Sequence, residues 1–449
     1  MSIDTTTAAN TAAPTALTSE LRQAALDHLW QHNRDWESAA RDNEPLIFVS
    51  GEGIRVTDSD GETWIDVNGG YSSVNIGYGR TEIAEAAFEQ LKQIPYFPQG
   101  SANPPTIRLA AKLAELAPGT LNRVFPVSGG SLANETALKV ARAYHHRRGH
   151  DGRFRLISRR GSYHGATGGV LFLGSVPSSP RTDYEPAPPG MVYAPQPNAY
   201  RCELHSSSPE ECAVKCAEAI ETLIEFHGAD TVAAVIAEPL ASGPGAVMPD
   251  PVYWQMLREI CTRHDVLLIA DEVITGFGRT GKLFAMEHFG VVPDIMTLAK
   301  GLAGGVACGA IIATPEVALS LKPGTHASTF GGNPLAMAAG LAAGQMIEEQ
   351  NLLANCRTMS DRFRSHFQTL QNELSIISEL RICGLMIGID LTIPATPAVG
   401  KCMQRGLLVN ATQDTVLRLL PAINVEAEQV DEGCAIIADV LSEMAAEVS

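Results

Sequence analysis

Between residues 124 and 313 the chain alternates short apolar runs, rich in Val and Ile, with longer amphipathic stretches. No other feature constrains the fold as strongly. Strands joined through helices lie parallel, and a parallel sheet needs helices over both faces. The rhythm predicts strands at 124–127, 154–158, 232–238, 266–271, 295–298 and 310–313. Helices are expected over 83–93, 106–116, 133–148, 209–226 and 251–264. A long helix rich in Ala, Met and Leu begins at Asn333, and further strands are expected at 385–391, 407–409 and 416–420. A Gly-bounded alternating hairpin over 54–64 reads as part of that second unit, and 181–208, rich in Pro, Ser and Tyr, reads as a surface excursion. The expected class is α/β: a large domain with a mostly parallel sheet flanked by helices, plus a smaller α+β domain built from both chain ends. The expected limits are a disordered tail at 1–20, small-domain segments at 21–78 and 335–449, and the large domain at 79–334.

Composition narrows the function. The 449 residues carry 33 basic against 50 acidic side chains, a net charge of −17. Nucleic acid and anionic membrane surfaces need clustered Lys and Arg, so neither is an expected partner. No apolar run approaches the length of a transmembrane helix. The Thr- and Ala-rich start has no basic or apolar core and does not read as a signal peptide. Nine scattered cysteines fit reduced thiols in a cytoplasmic enzyme. Cys212 and Cys216 could share a helix face near His205, but no second ligand pair follows, so no metal site is expected.

Two apolar runs end in a charge. One is 266–271, ending at Asp271; the other ends at Lys300. Either charge alone could be an ordinary strand-end residue at a surface loop. Buried, an ammonium loses proton affinity and becomes nucleophilic, while a carboxylate needs a cationic partner. An amine for a Schiff base and a carboxylate for a pyridinium nitrogen are what a pyridoxal phosphate enzyme requires. Alternation points the neighbouring Glu272 to the opposite side. Ser128-Gly129-Gly130-Ser131 follows a strand and opens a helix, so its free N–H groups and hydroxyl can cradle a phosphate, or merely cap the helix. It matches neither the nucleotide-triphosphate loop nor the dinucleotide fingerprint. Tyr163-His164-Gly165 could lay an aromatic ring on a flat cofactor, or be an ordinary core Tyr.

Together these stretches resemble the class III (subgroup II) pyridoxal-phosphate aminotransferases of fold type I. The matching segments are 128–142, 163–165, Ala237-Glu238-Pro239, 267–281, 293–301 and Ser328-Thr329-Phe330-Gly331-Gly332-Asn333-Pro334. The resemblance implies pyridoxal 5'-phosphate as cofactor, with Lys300 as Schiff-base lysine and proton shuttle and Asp271 on the ring nitrogen. It implies that Tyr163 and Val273 sandwich the ring, that Gly130 and Ser131 hold the phosphate, and that His164 and Glu238 belong to the cofactor site. Thr329 would reach the phosphate of a neighbouring subunit, so a homodimer, or a tetramer built from it, is implied.

Against that family pattern the substrate positions depart. Acetylornithine, ornithine and 4-aminobutyrate aminotransferases carry a carboxylate-binding Arg where this chain has Ala166. The ornithine and aminobutyrate types place a Glu, which gates a second Arg, where this chain has Gly243. That second Arg, the family's α-carboxylate site, corresponds to Arg418. Leu132 replaces a usual Glu. The 75–80 and 95–97 stretches resemble the amine:pyruvate (ω-aminotransferase) branch, in which a bulky aromatic often narrows the pocket near Ser72; a Ser there suggests a roomier site, and Tyr71, Ser72 and Gly243 bear on pocket shape. The 325–334, 381–390 and 407–421 stretches look more like the acetylornithine branch. The leading expectation is ping-pong transfer from a primary amine or ω-amino acid to a 2-oxo acid, pyruvate first. The alternatives are acetylornithine- or ornithine-type transfer to 2-oxoglutarate, with Arg159, Arg160 or Arg80 replacing the missing cation, and a racemase or aminomutase on the same scaffold.

Overall fold

The N-terminal strands β1 (Phe48–Glu52), β2 (Arg55–Asp58) and β3 (Thr63–Asp66) form an antiparallel meander. Its second turn closes on the Asp58 carboxylate, which accepts from the Asp60 and Glu62 N–H groups and from Trp64 Nε1. The structure is a computed structural model and describes residues 15–32, 37–38, 46–174 and 181–448. The helix Ala16–His28 begins inside the stretch read as a disordered tail. Thr15 caps it through Thr18 N at 3.1 Å, and the Thr18 hydroxyl donates to Asp60 at 2.7 Å, which docks it on the meander. Residues 1–14 of that expected tail lie outside the described residues.

The main sheet contains β4 (Arg123–Val127), β5 (Arg155–Arg159), β6 (Met191–Ala194), β7 (Val232–Ala237), β8 (Leu267–Asp271), β9 (Ile295–Leu298) and β10 (Gly309–Ala313). Its spatial order is β4-β10-β9-β8-β7-β5-β6. Only β10 runs antiparallel to its neighbours. The central strands β7, β8 and β9 are buried at every residue, so their apolar runs do not alternate. β6 corrects the reading of 181–208 as a mere excursion. It is a four-residue edge strand flanked by Pro, too short to stand out of that composition.

A third, antiparallel sheet has the order β11 (Ile377–Cys383), β12 (Met386–Leu391), β15 (Val416–Leu419) and β14 (Asn410–Thr412). β11 was not expected, because Glu379 and Arg381 break its apolar pattern. The short β13 (Leu407–Leu408) leaves this unit and pairs parallel with β3, so distant chain segments share one sheet. Cys212 and Cys216 pack into the core beneath β7, on the inner face of the helix Pro209–His227. No helix among the described residues is long and apolar enough to cross a membrane.

Five main-sheet strands deliver the residues of interest at one edge. Ser128 follows β4, Tyr163 lies just beyond β5, Glu238 follows β7, Asp271 ends β8 and Lys300 lies just beyond β9. In an open α/β sheet, the carboxyl ends of the strands are where ligands bind.

Candidate active site

A cavity of about 280 Å³ opens at that edge. Its lining includes Gly130, Ser131, Tyr163, His164, Glu238, Asp271, Val273 and Lys300. The residues singled out for cofactor chemistry therefore meet in one place, except Thr329. That residue is exposed on the 327–332 loop and does not line its own chain's cavity.

Asp271 is 3% exposed, and donors surround it. Oδ2 accepts from Asn134 Nδ2 at 2.8 Å and from His164 Nδ1 at 2.7 Å. Oδ1 accepts from the Val273 N–H at 3.0 Å. Three good donors satisfy the lone pairs that burial takes out of water. His164 Nδ1 must carry the proton it gives to Asp271, and its buried Nε2 has no partner among the described residues. Glu272 faces away: it takes the Thr275 hydroxyl and the Met286 N–H, and burial pushes its carboxyl up to about 7.

Lys300 stands on a left-handed turn (φ 43°) that opens a 3₁₀ segment, a conformation side-chain-bearing residues seldom adopt. Its Nζ donates to the Tyr71 carbonyl at 3.1 Å. Burial first, then the nearby Arg418 charge, bring the ammonium down to about 8, opposed by Asp271 and Glu238. The Tyr71 carbonyl is aimed by four successive left-handed residues, 69–72, whose first two are Gly. The Asp66 carboxylate holds this turn through the N–H groups of Asn68, Gly69 and Gly70 at 2.8–2.9 Å. A Cβ at Gly69 would sit 2.3 Å from the Leu420 carbonyl oxygen.

The helix Gly130–Arg147 starts without a side-chain cap, which leaves first-turn N–H groups facing the cavity. A Cβ on Gly130 would lie 2.8 Å from Val273 Cγ1, and one on Gly165 would lie 2.6 Å from Ser131 Oγ. Both glycines thus let the two rims close on the helix start. Ala166 is exposed, and its N–H donates to Ser131 Oγ at 3.1 Å. Leu132 packs against the hydrophobic cluster of that helix. Glu238 holds the 163 turn from below, accepting from the Tyr163 N–H at 3.2 Å and the Ser242 N–H at 2.9 Å; burial raises its pKa.

The substrate positions are less converged. Arg418 gives Nη1 to the Ser242 carbonyl and hydroxyl at 3.2 and 3.0 Å, and Nη2 to Asn410 Oδ1 at 2.8 Å. Its Nε is buried without a partner, and among the described residues no carboxylate forms an ion pair with it. Gly243 is buried and accepts from Thr412 Oγ1 at 2.7 Å through its carbonyl. Ser72 is 1% exposed and accepts from Arg279 Nε at 3.2 Å; like Tyr71, Gly243 and Arg418, it does not line the cavity. Tyr71 is 54% exposed beside it. The cations considered as replacements for a missing Arg lie elsewhere. Arg159 is buried and bonds the Glu238 carbonyl, Arg160 pairs with Glu203, and Arg80 bonds the Ile76 carbonyl.

Sequence reasoning missed Asn134, Thr297 and Arg279. Arg279 is fully buried and ties Ser72 and Asn75 to the carbonyls of Leu385 and Pro421, joining segments from both chain ends to the main domain. Its place in an otherwise small and apolar run was a usable signal, since a charged residue there seldom lacks a structural task.

Comparison with known proteins agrees with this geometry. The model of the family Aminotransferase class-III matches residues 37–441. The taurine–pyruvate aminotransferase of Bilophila wadsworthia is 36% identical over 435 residues, covering 90% of this chain and 92% of its own. The acetylornithine aminotransferase of Caldanaerobacter subterraneus is 37% identical, with 89% and 95% covered. Among solved structures, an (S)-enantioselective omega-transaminase from Thermomicrobium roseum superposes with a TM-score of 0.90 at 34% identity, covering 95% of this chain and 98% of that one. Enzymes of this family depend on pyridoxal phosphate, and the mixed signatures of the sequence reflect relatives of both branches. The chain belongs to the class-III aminotransferase family.

Proposed function

We propose that this aminotransferase takes its amino group from a primary amine or ω-amino acid and delivers it to pyruvate. The observation carrying this reading is the charge beside Lys300. Arg418 does not line the cavity itself but lies close enough to lower the Lys300 ammonium and forms no ion pair among the described residues, while Ala166 offers no second guanidinium. One cation suits a monocarboxylate oxo acid, whereas a dicarboxylate needs two.

The residues present fit pyridoxal 5'-phosphate. A Cβ-free approach at Gly130 and Gly165, the uncapped helix start and a carboxylate with room for another donor are what its phosphate and ring nitrogen need. When bound, that group supplies an aldehyde and an electron sink for a carbon losing its proton. Lys300 would hold the aldehyde through Nζ and would carry a proton at that same atom. Its lowered pKa keeps a useful fraction neutral near pH 8. Asp271 holds the ring nitrogen in its protonated form. Tyr163 and Val273 flank the ring, while His164 and Glu238 fix the Asp271 carboxylate and the 163 turn. Gly130 and Ser131 take the phosphate. Thr329, exposed and outside its own cavity, reaches the phosphate of the partner subunit in a homodimer or in a tetramer of two such dimers. Arg418 takes the carboxylate, with Tyr71 at the rim and Gly243 leaving Arg418 unpaired. Ser72 acts through Arg279. The reduced cysteines support a cytoplasmic location.

Single-turnover half-reactions test the acceptor. Amino-loaded enzyme is expected to return to its starting spectrum faster with pyruvate than with 2-oxoglutarate, and the reverse order would reject pyruvate. The second reading, 2-oxoglutarate as acceptor, is favoured by the acetylornithine aminotransferase match and by the C-terminal stretches.

A further inference from the structure

Asp271 has one more neighbour whose role is unassigned. Asn134, on the helix Gly130–Arg147, is 1% exposed. Its Nδ2 donates to Asp271 Oδ2 and to the His164 carbonyl, each at 2.8 Å, and its Oδ1 accepts from Thr297 Oγ1 at 2.7 Å. That orientation is forced, because the turned amide would set its oxygen against a carboxylate and a carbonyl.

An ionised carboxylate offers roughly four acceptor sites. Oδ2 spends two, on Asn134 and His164, and Oδ1 spends one on Val273. The fourth is contested: Thr297 Oγ1 lies 3.3 Å from Oδ1 but 2.7 Å from Asn134 Oδ1. A hydroxyl has a single proton, and the shorter contact takes it. Without Asn134, the Thr297 rotor would turn to the carboxylate and fill the last site.

We propose that Asn134 is a positioning residue: it draws the Thr297 hydroxyl proton away from Asp271, keeping one Oδ1 lone pair open for the protonated ring nitrogen of the cofactor. The proposal rests on the reading of this cavity as the pyridoxal phosphate site. Its effect passes through Asp271, and it makes a prediction that a merely structural buried Asn does not. Removing Thr297's hydroxyl should repair the damage done by removing Asn134.

The test is a double-mutant cycle of Asn134→Leu, Thr297→Val and the pair together, read as the affinity of the apoenzyme for pyridoxal phosphate by absorbance titration. Apoprotein melting temperature is recorded in parallel. Asn134→Leu is expected to weaken binding roughly ten- to a hundredfold, the range of a hydrogen bond to a charged group. Thr297→Val alone is expected to change it by less than ~threefold, because its proton does not serve Asp271. The double variant should regain most of the lost affinity while its melting temperature stays low. Additive losses, or wild-type affinity in Asn134→Leu, would overturn the assignment while leaving the site intact. Should Asn134→Leu not fold, Thr297→Val decides alone: a change above ~tenfold means the hydroxyl does serve Asp271 and sinks the proposal, and a change below ~threefold upholds it. Wild-type apoenzyme that fails to bind pyridoxal phosphate would instead overturn the cavity reading, and the proposal with it.

Discussion

The wall around Asp271 and the rim around Arg418 satisfy their charges in opposite ways. Asp271 sits among donors drawn from the helix Gly130–Arg147, the 163 turn and its own strand end. Asn134 is fixed by two further bonds, so this part of the wall is preorganised for one ligand geometry. Arg418 rests instead on neutral acceptors, Ser242 and Asn410, with Nε left over and no ion-paired carboxylate among the described residues. A wall of that kind suits a constant cofactor, while an unsatisfied rim leaves its energy to be completed by whichever carboxylate arrives. The two are coupled through space, since the Arg418 charge helps depress Lys300.

Damage to the wall should cost most. Lys300→Ala is expected to reduce turnover by at least about 10²–10⁴-fold, the range of one positioned acid–base group, with every substrate alike. Asp271→Asn is expected to lose on the order of 10²–10³-fold in kcat, as when a preorganised charge-stabilising group is removed, again without substrate preference. Steady-state kinetics over several amines would expose any selective loss, which would break the division between wall and rim.

Changes at the rim should be smaller and selective. Arg418→Leu is expected to raise KM for pyruvate roughly ten- to a hundredfold, the value of a charge-assisted pair, while sparing amines that have no carboxylate. The same variant removes a cation beside Lys300, so the lysine pKa should move up from about 8. The sign follows from the amine: it is nucleophilic only when neutral, so apoenzyme should take up pyridoxal phosphate faster as pH rises through about 8 and then level off. Stopped-flow uptake against pH checks this, and Arg418→Leu should push the midpoint to higher pH. The mildest change, Ala166→Arg, should leave kcat with pyruvate within about threefold while improving 2-oxoglutarate, because it adds a second cation at an exposed position. No gain with 2-oxoglutarate would show that this position does not face the acceptor.

The wall was largely legible in the sequence and the rim was not. Asp271 and Lys300 betray themselves locally, because each interrupts an apolar run that a parallel sheet buries on both faces. Gly130 and Ser131 follow from a strand-to-helix turn. What the sequence hides are partnerships across long separations. Asn134 lies 137 residues from Asp271 and 163 from Thr297, and the Tyr71 carbonyl lies 229 from Lys300. A backbone carbonyl carries no side-chain signal at all. Arg279 is hidden in the same way: its bonds to Ser72 and Asn75 span 207 and 204 residues. In the fold, β6 and β11 were missed where Pro and charged residues blur short strands, while the fully apolar β7–β9 were plain.

The central claim is that Lys300 Nζ bonds the cofactor in this cavity. Borohydride reduction of the pyridoxal-phosphate-loaded enzyme, followed by peptide mapping, tests it most directly by making that bond permanent. The label is expected on the peptide containing Lys300 and to vanish in Lys300→Ala. A label on any other lysine, or its survival in that variant, would contradict the assignment.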